Sequence, residues 1–160
     1  MKKVNLYLET SVWSYYYADD AEAQLKDTQL LFGRIDEHKY NIFISLAVIR
    51  EINKTKGDKK IKLQELIHKY KPNVLEETVD IYKLANKYIK TSALSPNSYD
   101  DSLHVAMTTI YNLDILVSWN YRHLTNNNSK NKINLTNIRS GYRPILILNP
   151  LEVVKYEKNQ

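Results

Sequence analysis

The chain has 160 residues, a formal net charge of +5 and no cysteine. That length suits a single domain over residues 1–160, one that buries roughly two-thirds of its unfolded surface without disulfides or structural metals. The absence of thiols excludes cysteine nucleophiles, zinc–thiolate sites and disulfide scaffolds.

Taken in order, Val4, Leu6 and Leu8 with Tyr7 predict a first strand ending near Glu9. The opening MKKVNLYLETS is broken by Asn5 and Glu9, so it reads as neither signal peptide nor membrane span. No other stretch approaches ~18 uninterrupted apolar residues. The cytoplasm is therefore the expected compartment, without membrane contact. Thr10, Ser11 and an aromatic segment at 12–17 follow, then a helix over 20–39 with Leu25, Leu31, Phe32 and Ile35 close to one stripe. Ile42, Phe43 and Ile44 form a second strand. Ser45 caps a helix that carries Leu46, Val48, Ile49 and Glu51. Asp58 is expected to cap another helix, with Ile61, Leu66, Ile67 and Tyr70 on its apolar side and Pro72 ending it.

Val74 and Leu75 mark a third strand, and Thr78 opens a helix with Val79, Tyr82, Ala85 and Ile89 inward. Residues 98–120, SYDDSLHVAMTTIYNLDILVSWN, then organise the rest. Ser98 reads as an N-cap with Asp101 at the capping-box position, where a carboxylate also meets the positive helix end. Leu103, Ala106, Met107 and Ile110 recur at helical spacing. Ile115, Leu116 and Val117 make a buried strand that turns polar at Ser118 and Asn120. Residues 126–137 are Asn-rich and read as a surface loop. Residues 145–148 form a fifth strand, closed by Asn149-Pro150 and a last helical turn at 151–154. Strands alternating with helices predict a parallel sheet covered on both faces, an α/β fold.

Charge is unevenly spread: residues 1–80 hold 13 basic and 13 acidic side chains, residues 81–160 hold 10 and 5. Between Ile115 and Leu151 no acidic side chain occurs, while Arg122, Lys130, Lys132, Arg139 and Arg143 do. Lys54, Lys56, Lys59, Lys60 and Lys62 form a second basic run, interrupted only by Asp58. Such runs are either solvated surface or the footprint of a polyanion such as nucleic acid, and charge alone does not choose. The three glycines, Gly33, Gly57 and Gly141, follow no strand in a phosphate-cradling pattern, so ATP or NAD is not expected.

The carboxylates beside strands are the candidates for chemistry. Glu9 ends the first strand, Glu51 lies in the helix after the second, and Asp101 sits on the first turn of the helix before the fourth. Asn120 follows that strand. Open α/β sheets bind ligands outside the carboxyl ends of their strands, where strand order reverses. If the first and fourth strands are neighbours there, these residues converge on an all-oxygen cluster suited to a hard cation, Mg2+ or Mn2+. His104, one turn from Asp101, reads either as a base or as a satisfied structural histidine; nothing nearby forms a triad. Trp13, Trp119 and Tyr15 to Tyr17 divide between stacking on bases and packing the core.

YLETSVWS at 7–14, Glu51 within IREI, DSLHVA at 101–106, LVSWN at 116–120 and PILILNPLEVV at 144–154, in that order, resemble the PIN-domain family of metal-dependent ribonucleases and their relatives. The likeness is closest to a stand-alone group of predicted nucleic-acid-binding PIN proteins. The resemblance implies a three-layer α/β/α fold with a five-stranded parallel sheet in order 3-2-1-4-5. It implies a Mg2+- or Mn2+-dependent endoribonuclease, with Glu9, Glu51 and Asp101 as metal ligands and Asn120 as a neutral fourth ligand or water positioner. Ser118, Arg122 and His123 are expected to contact nucleic acid. The implied partners are single-stranded RNA, an antitoxin protein in a toxin–antitoxin pair, and a second copy in a homodimer.

Two positions depart from the family's pattern. Glu9 stands where Asp is usual, moving the carboxylate by about a bond length, and Mg2+ demands near-ideal octahedral geometry. Asn120 stands where Asp is frequent and removes a charge. A catalytically weak or inactive PIN-fold module that binds nucleic acid or protein is the alternative.

Overall fold

The computed structural model describes residues 2–158. Strands β1 (Val4–Leu8), β2 (Tyr40–Ser45), β3 (Asn73–Leu75), β4 (Ile115–Val117) and β5 (Leu146–Leu148) form one parallel sheet in the order β3-β2-β1-β4-β5. The expected order is thus the observed one. Leu6, Tyr7 and Leu8 on the central β1 and all of β4 are buried, as strands covered on both faces must be. Leu6 pairs with Ile42 on one side and Ile115 on the other, so order reverses between β1 and β4.

Among the described residues eight α-helices cover the sheet: α1 (Thr10–Tyr15), α2 (Glu22–Asp36), α3 (Leu46–Asn53), α4 (Asp58–Tyr70), α5 (Val79–Lys90), α6 (Tyr99–Ile110), α7 (Asn127–Arg139) and α8 (Pro150–Lys158). Right-handed crossovers put α1 to α4 on one face, where α8 packs along α2, and α5 to α7 on the other, where α5 packs along α6 and α7. Under the first layer Trp13 is fully buried with its ring 5.3 Å from Phe32, edge-on. Ser45 caps α3 through the Ala47 N–H as the sequence predicts. Asn149 and Glu152 form a reciprocal capping box around Pro150, which extends the expected last turn into α8.

Four local expectations fail for physical reasons. Asp58 is the first residue of α4 rather than its cap, because Gly57 at φ +72° makes the turn. That helix buries Leu63 and Leu66 and leaves Ile61 55% exposed. In α5 the inward residues are Ile81, Leu84, Ala85 and Tyr88, while Val79 is 67% exposed. Ser98 ends a 3-10 turn, Pro96–Ser98, that runs straight into α6; its backbone is not extended, and its hydroxyl meets Ser95 at 3.1 Å instead of capping.

The fourth failure is the Asn-rich stretch, which is helix α7. Asn126 caps it through the Ser129 N–H at 2.8 Å. Ile133 reaches the core, and fully buried Asn137 bonds Tyr88 and donates to Thr109 at 3.2 Å. Tertiary partners override asparagine's weak helix propensity. Asn137→Ala leaves those buried hydroxyls without their partner and is expected to cost about 2 kcal/mol in urea unfolding. Leu135→Ala, at an exposed position of the same helix, should stay within about 0.5 kcal/mol.

Candidate functional site

The site sits at the carboxyl ends of β1, β2 and β4. Beyond Leu8 the chain stays paired for one more residue, the Glu9 N–H donating to the Val117 carbonyl at 3.1 Å. Glu9 is then the N-cap of α1 and is 4% exposed. Its Oε2 accepts from the Ser11 N–H at 3.0 Å, and its Oε1 accepts from Ser11 Oγ and, at 2.7 Å, from Ser118 Oγ. Two donors come from Ser11, in the first turn of α1, which follows β1, and one from the residue right after β4. The carboxylate therefore closes the seam between these strands while facing the positive end of a short helix.

Glu51 projects from α3. Its Oε1 accepts from Thr10 Oγ1 at 3.0 Å and from His104 Nε2 at 2.6 Å. His104, on α6, is fully buried, and its Nδ1 lies 2.7 Å from Tyr7 Oη, which in turn lies 2.8 Å from Ser45 Oγ. Ser45 also accepts from the Ala47 N–H. With neutral His104 the chain runs one way: Ser45 donates to Tyr7, Tyr7 to Nδ1, and Nε2–H to Glu51. Burial works against a charged imidazole, but the Glu51 bond and charge, with Glu9 and Asp101, outweigh it and raise the His104 pKa. Burial likewise pushes the Glu51 carboxyl up, but His104, Thr10 and Lys54 together bring it below the usual range. Burial holds the Tyr7 phenol protonated, well above the ordinary tyrosine range.

Asp101 lies on the first turn of α6. Burial first, and the Glu9 charge second, push its carboxyl up to about 6, against the opposing pull of His104 and Asn120. Asn120 donates from Nδ2 to Asp101 Oδ2 at 3.1 Å, while its Oδ1 accepts from the His123 N–H at 3.0 Å. A donor on one side and an acceptor on the other fix the amide orientation. Single ligand atoms of Glu9, Glu51 and His104 lie within 4.8 Å of one another.

The structure therefore gathers Glu9, Glu51, Asp101 and Asn120 around one notch. Ser118 lies inside it, fully buried, with its hydroxyl on Glu9. Exposed Arg122 and half-buried His123 occupy a π-helical turn, Tyr121–Thr125, at the rim. Trp13 is core. Trp119 is half-buried, its indole N–H donating to Thr28 at 2.8 Å. Sequence reasoning underweighted His104 and missed Tyr7 and Ser45. The i, i+3 spacing from Asp101 placed His104 on the right face, but nothing local pointed to Glu51.

The donor set fits a hard divalent cation. In this largely buried space desolvation first, and the Glu9 charge second, hold Asp101 back from ionising, and a cation there favours the ionised form. Among the described residues, Glu51 Oε2 and Asp101 Oδ1 accept no hydrogen bond. His104 Nε2 is held by Glu51, so its role here is to orient that carboxylate.

In the metal-free protein Asp101 should titrate near pH 6 in side-chain carboxyl 13C NMR. Its folded-state value exceeds the ordinary 3.8, so protonation favours the folded state below that pH, an advantage lost as pH rises through about 6. Glu9→Gln should lower the Asp101 value, since it removes the neighbouring charge.

No family model matches the chain, and no curated protein matches it significantly. Solved structures do. A structure of VapBC2 from Rickettsia felis bound to a DNA fragment from their promoter superposes with a TM-score of 0.57 at 14% identity, over 91% of this chain and 98% of the other. VapC20 from Mycobacterium tuberculosis, a Sarcin-Ricin loop cleaving toxin, superposes with a TM-score of 0.53 at 13% identity, over 74% of this chain and 92% of the other. At such identities the likeness is one of fold.

Proposed function

The chain has the PIN-domain fold, and on that premise we propose that it is a metal-dependent endoribonuclease, the toxin of a toxin–antitoxin pair. One observation carries the reading: ligand atoms of Glu9, Glu51 and His104 lie within 4.8 Å of one another where strand order reverses, close enough to Asp101 for the charges of Glu9 and Glu51 to raise its carboxyl. Glu9, Glu51 and Asp101 would hold Mg2+ or Mn2+, directly or through water. Such an ion, when bound, supplies a nucleophilic water at neutral pH and offsets charge on a phosphodiester.

The remaining residues have roles at stated atoms. Ser11 and Ser118 hold the Glu9 carboxylate in one orientation. The Tyr7–His104 pair fixes Glu51 from behind. Asn120 turns Asp101 through Oδ2 and leaves Oδ1 for the ion, so it acts as a positioning residue rather than a ligand. Arg122, exposed on the rim turn, would meet the phosphate backbone of a single-stranded RNA. The antitoxin partner is supported by the likeness to the VapBC2 assembly.

A second reading, a binding module without cleavage, draws on the same geometry. Asn120 carries no charge and its oxygen is committed to the His123 N–H. Titration calorimetry with Mn2+ separates the two. Measurable affinity that falls at least about tenfold in Asp101→Asn supports the nuclease, and salt-sensitive RNA binding without metal affinity supports the module.

Two outcomes are expected. Wild-type protein cleaves single-stranded RNA with Mn2+, and Asp101→Asn loses about 100-fold or more of that rate; an unchanged rate would remove the assignment. Asn120→Asp, which removes the Nδ2 donor and sets another carboxylate beside Asp101, should push the Asp101 carboxyl up further in 13C NMR of the metal-free protein.

A further inference from the structure

The basic run at 130–139 lies on α7, and the tertiary structure sets it beside a second basic row that the sequence separates from it. Lys83, Lys87 and Lys90 occur at i, i+4 and i+7 on α5, one face of that helix. Lys132 and Arg139 sit seven apart on α7. Two adjacent depressions share Lys87, Lys90 and Ser140, forming one trough between α5 and α7, with Lys132 and Arg139 along its far wall.

Five cations line the trough against one carboxylate, Asp80. All five side chains are exposed, and among the described residues none makes an ion pair. Lys87 is held in place by Ser140, its Nζ donating to the hydroxyl at 3.2 Å. Unpaired like charges converging on a concave surface repel one another, and focus the field on a polyanion. Two rows of cations match the repeating charge of a phosphate backbone, and half-buried Tyr142 at one end offers a ring for a base.

The trough is separate from the acidic notch. Beneath it Tyr88 and Asn137 bond Thr109 on the last turn of α6, whereas Asp101 is on the first turn. Those positions are about 12 Å apart along the helix axis. A chain occupying both must run on for several nucleotides.

We infer that the α5–α7 trough is a second RNA-binding surface, which grips the phosphate backbone of the substrate away from the carboxylates and makes the protein selective for RNA long enough to reach it. This rests on the nuclease reading for its substrate, but the two are tested apart. Fluorescence anisotropy in EDTA, with a labelled single-stranded RNA of about 20 nucleotides, compares wild-type protein with Lys87→Glu/Lys90→Glu and with Lys132→Glu/Arg139→Glu. Lys2→Glu/Lys3→Glu, exposed and outside the trough, carries the same change in net charge.

Each trough variant should raise Kd at least tenfold, with a salt slope shallower by about 0.7 for every phosphate no longer neutralised. The control should change it by less than about threefold. With Mn2+, cleavage of the long RNA should show a raised KM and unchanged kcat, and cleavage of a dinucleotide should not change. Equal losses in trough and control variants would reduce the effect to net charge and overturn the inference. Unchanged affinity in the trough variants would overturn it too, and leave an acidic protein segment as the ligand to try. Loss of cleavage in Asp101→Asn with intact trough binding leaves both readings standing. Cleavage that survives Asp101→Asn sinks the catalytic assignment and not the trough.

Discussion

The parallel pairing of β1 with β4 is the constraint on which the rest depends. It joins Leu8 to Val117 and carries the Glu9 N–H on to the Val117 carbonyl. Without it Glu9 and Ser118, 109 positions apart, would not share a hydrogen bond. Because sheet order reverses at this junction, the helices leaving β1 and β4 diverge to opposite faces and a notch opens between them. What lines that notch follows from which residues end the strands.

A notch lined by carboxylates stores repulsion, and this chain distributes it unevenly. Glu9 receives three hydrogen bonds from serines and a helix end. Glu51 is paired with a buried histidine whose other nitrogen is tied to Tyr7. Asp101 has an amide donor, which does not offset its burial and the neighbouring Glu9 charge, and its carboxyl is pushed up to about 6. Glu51 is thus held below the usual carboxylate range by its partners, while Asp101 is left with the strongest need for an external cation.

The opposite charge is placed elsewhere. The layer formed by α5, α6 and α7 carries the cations of α5 and α7 on its outer surface, and the buried Tyr88–Asn137–Thr109 contacts hold the helices close enough for those cations to share one concavity. The same polar knot explains why an asparagine-rich stretch with little intrinsic helical tendency is ordered as a helix. Stability of α7 and placement of its cations have one physical cause.

Local pattern determined much of this molecule. Strand positions, the alternation of strands and helices, the Ser45 and Thr78 caps and the absence of a glycine-rich phosphate loop were all legible from residue type and spacing, because each depends on neighbours within a few positions. The ordered motifs from YLETSVWS to PILILNPLEVV added the sheet order and pointed to Glu9, Glu51, Asp101 and Asn120. Only the tertiary structure decided which face of α4 and α5 is buried, that residues 127–139 are helical, that His104 joins Glu51 to Tyr7, and which way the Asn120 amide points. Each of those depends on a partner that the local pattern does not reveal, for the Asn120 amide Asp101 19 positions back, and a contact across such a distance leaves no periodic trace in the chain.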